Sequence, residues 1–73
     1  MNTIFHNATR GNLYSITLEQ DSLGYIIREF KHGNLQAYAN LGHNDIALAT
    51  DEYNRRIDEA AHYDQIYYVR KLV

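Results

Sequence analysis

The sequence predicts an α+β domain: an antiparallel sheet of three to four strands with one helix packed on one face, in the order β-β-β-α-β. Three observations carry this reading. Segments 13–19, 25–30, 35–41 and 66–73 either alternate side chains at the strand period or are rich in β-branched and aromatic residues. Glycine-bearing turn sequences, QDSLG and KHGN, separate the first three of them. Between the third and fourth, apolar residues recur instead at spacings of three and four, the period of a helix.

The first strand is LYSITLE, in which Tyr14, Ile16 and Leu18 face one way and Ser15 and Thr17 the other. In the turn that follows, Asp21 and Ser22 can bond local backbone and Gly24 can take positive φ. The second strand, YIIREF, places Ile26, Arg28 and Phe30 on one face and Tyr25, Ile27 and Glu29 on the other, so its periodicity leaves the buried face open. Gly33 suits the next hairpin turn. The third strand, LQAYANL, alternates Leu35, Ala37, Ala39 and Leu41 with Gln36, Tyr38 and Asn40, and its alanines would let a helix approach closely. The break GHND precedes a helix from about Asp45 to His62, with Ile46, Ala49, Tyr53, Ile57, Ala60 and Ala61 on its apolar side. Asn44, Asp45 and Thr50 are competing caps for its start. The last strand, Ile66–Val73, points Tyr67 and Tyr68 to opposite faces, so one is expected in the core and the other outward. The first clear alternation begins at Leu13, which leaves residues 1–10 as a candidate flexible arm.

At 73 residues, this is read as one domain, 1–73, near the lower size limit for unaided folding. It has no cysteine, so neither disulfides nor thiolate-bound zinc can supplement packing, and the composition suits the cytoplasm. No secretory signal and no apolar run of membrane-spanning length is present, and a soluble, unprocessed protein is expected. Asn7-Ala8-Thr9 matches the glycosylation acceptor pattern, which means little without such a signal. The formal charge of −2 argues against direct nucleic-acid binding and against an anionic membrane. Charge is uneven: residues 42–64 carry six acids and two bases, whereas the rest carries five bases and three acids.

No catalytic signature is visible, and no enzyme activity or cofactor is expected. The four histidines are scattered without a local ligand pair, and no metal site is expected. Glu59 and His62 share a helix face at the spacing used in di-iron bundles, but the carboxylates of neighbouring helices are missing. Glycine-rich phosphate loops and the nucleophile-elbow motif are absent.

The informative excess is seven tyrosines, because tyrosine offers a large contact area with few torsions to freeze and recurs at protein interfaces. Two candidate partner-binding surfaces follow. One is a tyrosine-bearing sheet face drawing on Tyr67 or Tyr68 with Tyr38 or Tyr25 and with Arg70 or Lys71. The other is the acidic helix, with Asp51, Glu52, Asp58 and Glu59 meeting a positively charged partner.

YSITLEQDSLGYII, with Tyr14, Ile16, Leu18, Glu19, Asp21, Gly24 and Tyr25, resembles the opening hairpin of HicB-like antitoxin domains. That resemblance implies a small regulatory domain that dimerises through its sheet. In size, absence of cysteine and strand-helix order, the whole chain resembles the anti-CRISPR proteins of phages and mobile elements. This second resemblance implies a stoichiometric inhibitor that occupies a surface on a subunit of a CRISPR effector, in the host cytoplasm. A homodimer is compatible with either.

Overall fold

The computed structural model describes residues 2–72. It is an α+β fold: an open, antiparallel sheet of five strands with one α-helix on one face. The strands are β1 (Asn2–Ala8), β2 (Tyr14–Asp21), β3 (Gly24–Lys31), β4 (Asn34–Asn40) and β5 (Val69–Lys71), and their spatial order is β4-β3-β2-β1-β5. Helix α1 spans Ile46–Glu59 and runs into a wider π-helical turn, Ala60–Asp64.

Residues 2–8 are a strand inside the sheet, where a flexible arm was expected. β1 pairs with β2 on one side and β5 on the other. Two features hide it in the sequence. A register irregularity between Thr3 and Phe5 sends both Ile4 and Phe5 against the core, which breaks the two-residue period. Further on, a polar residue, Asn7, occupies a buried position. The last strand, expected over Ile66–Val73, begins only at Val69, and Val73 lies outside the described residues: β1 stops pairing at Ala8, opposite Val69, so Tyr67 and Tyr68 precede the ladder with no strand beside them.

The hairpins follow their turn chemistry. Asp21 Oδ1 accepts from the amides of Leu23 (2.8 Å) and Gly24 (3.0 Å), closing the β2–β3 turn. His32 and Gly33 both have positive φ, 53° and 78°, as a two-residue hairpin loop matched to strand twist requires. Gly24 is demanded for a different reason: its φ is +145°, and a Cβ there would lie 2.6 Å from the His43 carbonyl oxygen.

The ladder decides which face of β3 is buried. Leu18 lies opposite Ile27 and Gln20 opposite Tyr25, so Tyr25 and Ile27 join Ile16 and Leu18 beneath the helix. Asp45 caps α1 by accepting from the amides of Ala47 (3.0 Å) and Leu48 (3.2 Å), which settles the competition among caps. Ala49 and Tyr53 then reach the core. The fully buried Tyr53 spans the layers: its ring stacks on Phe5, and its hydroxyl donates to the Ile16 carbonyl at 3.0 Å. The same hydroxyl also donates to Asn7 Oδ1 at 2.8 Å, sharing its hydrogen between the two acceptors, which explains the buried Asn7.

α1 therefore rests on β1, β2 and β3. β4 is not under it: Ala37 is exposed and Ala39 only half-buried, so the alanines expected to seat a helix do not do so. No helix among the described residues is long and apolar enough to cross a membrane.

Candidate functional site

An open groove of about 450 Å³ lies at one end of the sheet between two pinned backbone turns, and its walls include Arg10, Leu13, Tyr14, Ile66, Tyr67 and Val69. The first wall is the 3-10 turn Arg10–Asn12. It is closed by Thr9, whose amide donates to the Tyr14 carbonyl (2.9 Å) and whose hydroxyl oxygen accepts from the Tyr14 amide (3.1 Å). Gly11 and Asn12, at φ 76° and 58°, reverse the chain and hold Leu13 at the surface. The second wall begins at Gln65, in the left-handed region at φ 55°, and the Ile66 amide donates to the Ala60 carbonyl at 3.0 Å.

Tyr67 stands at this groove with 67% of its surface exposed, beside exposed Val69. Tyr68 is half-buried and packs against the core, and burial pushes its hydroxyl up to about 12 from the ordinary 10.0. The adjacent tyrosines thus divide into one outward and one inward, although neither lies in a strand. Arg70 is turned to the helix side, with its guanidinium carbon 4.6 Å from the centre of the Phe5 ring. Lys71 faces the opposite way, sharing with Val69 the side of β5 that α1 leaves uncovered. The outward surface near β5 is therefore Tyr67, Val69 and Lys71, with Arg10 and Leu13 across the groove. The sequence alone did not single out Arg10 and Leu13; the Arg-Gly-Asn turn beside them was the available signal.

The uncovered sheet face carries one continuous cross-strand row. The pairings Tyr38–Arg28, Arg28–Thr17, Thr17–His6 and His6–Lys71 run from one edge to the other. Tyr38 and Lys71 are thus on the same face but four strand spacings apart, roughly 19 Å. The expected patch that joins Tyr67 or Tyr68 with Tyr38 or Tyr25 does not assemble: Tyr38 is at the far edge and Tyr25 is buried. The middle of the row is held by polar contacts, since Glu19 Oε2 accepts from the Thr17 hydroxyl (2.7 Å) and lies 3.6 Å from Arg28 Nε.

On α1, Arg55 bridges Glu52 and Glu59, and Arg56 Nε lies 3.3 Å from Glu52. The hydrogen bond from Arg55 holds the Glu52 carboxyl below its usual range, and the same contacts raise Arg55. Glu52 and Glu59 are thereby largely neutralised, so Asp51 and Asp58 are what remains of the acidic surface. Such exposed pairs contribute little to stability. Among the described residues, no three His, Cys, Asp or Glu side chains converge to hold a metal ion.

No protein-family model, no curated protein and no solved structure matches the chain.

Proposed function

We propose that this protein is a non-enzymatic binding module of the anti-CRISPR type, which inhibits by occupying a surface on a CRISPR effector subunit in the host cytoplasm. The observation that supports the reading is exposed Tyr67 beside a mostly apolar groove whose two walls are closed by backbone hydrogen bonds. Arg10 on the other wall, and Lys71 on the same side of the chain as Val69, add two cations to this surface. Such a groove suits an apolar side chain of a partner protein flanked by carboxylates. The tyrosine supplies contact area at little entropic cost, and the cations steer approach.

The test is a pull-down of the tagged protein from a bacterial lysate containing active CRISPR effectors, read by mass spectrometry. The expected result is recovery of an effector subunit by the wild type and its loss with Tyr67→Ala, which leaves the fold intact. Tyr68→Ala serves as the contrast, because it removes core packing and lowers stability. Recovery of a small toxin, or of the protein alone, would instead favour a HicB-like regulatory dimer. The uncharged outer edge of the sheet at β4 is the observation on that side.

A further inference from the structure

We infer that β4 is a self-association edge, along which a second copy of this chain pairs antiparallel about Tyr38 to form one continuous ten-stranded sheet. The inference is independent of what the Tyr67 groove binds, because the groove lies toward the other edge.

Four observations support it. β4 is the terminal strand of the sheet and is seven residues long, Asn34 to Asn40, without a charge or a proline. Such an edge lacks the charged and proline residues that keep most exposed strands from pairing. Its outer backbone groups can be assigned: the Leu41 amide donates to the Tyr25 carbonyl at 2.9 Å, so Leu41, Ala39 and Ala37 turn their polar groups to β3. Those of Tyr38 and Asn40 consequently point away from the sheet. Finally, β4 is self-complementary. Two-fold pairing about Tyr38 sets Tyr38 of one copy against Tyr38 of the other, each Ala37 against an Ala39, and each Gln36 against an Asn40.

No like charges meet in this register, and each pair keeps its faces matched: tyrosines on the uncovered side, alanines on the helix side. The small alanines and the absence of α1 above β4 leave room for the incoming strand. A second copy is favoured over an unrelated peptide because it brings the same outward amides and carbonyls in the reversed order that an isologous contact needs. The register irregularity between Glu29 and Phe30, opposite residues 35–37, limits regular pairing to the stretch around Tyr38. The contact is accordingly short, and the dimer is expected to depend on concentration.

The absence of native cysteine makes the test direct. The Cα atoms of a hydrogen-bonded antiparallel pair lie about 5.5 Å apart, within the range a disulfide spans. Tyr38→Cys should therefore form a covalent dimer on mild oxidation, whereas Leu23→Cys, in the exposed β2–β3 turn, should remain a thiol under the same conditions. In sedimentation equilibrium, the wild type should dimerise reversibly. Tyr38→Lys, which places two lysines face to face, should weaken the dimer at least about tenfold while leaving the circular dichroism unchanged. A wild type that stays monomeric at every attainable concentration overturns the proposal, as does a dimer indifferent to Tyr38→Lys. If the lysine variant fails to fold, the cysteine pair decides: crosslinking at Leu23→Cys but not at Tyr38→Cys would sink the proposed register.

Discussion

The two edges of the sheet are built on opposite plans. β5 has three residues, two of them basic; Arg70 lies over Phe5, and half-buried Tyr68, just upstream, anchors the segment against the core. β4 has seven residues, no charge, and neither face covered by α1. The difference follows from where the helix sits. Tyr53 ties α1 to β1 and β2 through Phe5, Asn7 and Ile16, so the helix is committed to the β1 side and cannot also cover β4. The described residues hold one α-helix, and the edge it leaves bare is the one whose residues suit another strand.

The largest perturbation of this arrangement is Tyr53→Ala. It removes a fully buried ring and strands the Asn7 amide, and the expected loss is about 3–5 kcal/mol in denaturant unfolding, enough to unfold much of the population. A loss below about 1 kcal/mol would mean that something other than Tyr53 holds the helix to β1.

On the β4 side the sensitive point is Gly24, whose backbone lies against the His43 carbonyl where the chain leaves β4 for the helix. Gly24→Ala should cost roughly 1–3 kcal/mol, from strained backbone and displacement of His43. Gly33→Ala, with open space around its Cβ, should cost less, because only the positive φ opposes it.

A subtler comparison comes from alkaline titration. Burial raises Tyr53, and Tyr68 is pushed up to about 12, each from 10.0. Because the unfolded chain ionises first, these tyrosines favour the folded state fully below about pH 10, and their contribution is lost as pH rises through the folded-state values. Stability measured by urea unfolding should therefore fall between pH 10 and pH 12, and Tyr53→Phe should flatten the fall. An equal slope in wild type and variant would show that Tyr53 does not contribute to it.

Much of the fold was legible in advance because local chemistry decided it. β2 alternates cleanly, Asp21 and Gly33 act as turn residues, and Asp45 has the side chain of a helix cap. β1 was not legible, since its irregular register at Ile4 and its buried Asn7 imitate a polar, patternless arm. Of the candidate site, the sequence expects one of Tyr67 and Tyr68 outward and one inward, and the structure has that division without the strand on which the expectation rests, whereas Arg10 and Leu13 face Tyr67 only through the folded chain.

The sequence by itself determined the class, the helix and three of the strands, because period, capping and turn preference act within a few residues. Only the tertiary structure decided that the N-terminal segment lies between β2 and β5, that Tyr53 takes Asn7 as its partner, and that Tyr38 ends on an uncovered edge. Those outcomes depend on contacts between distant residues, such as Asn7 with Tyr53 and Ala8 with Val69, and no local pattern records which distant residue will supply the missing hydrogen bond or strand.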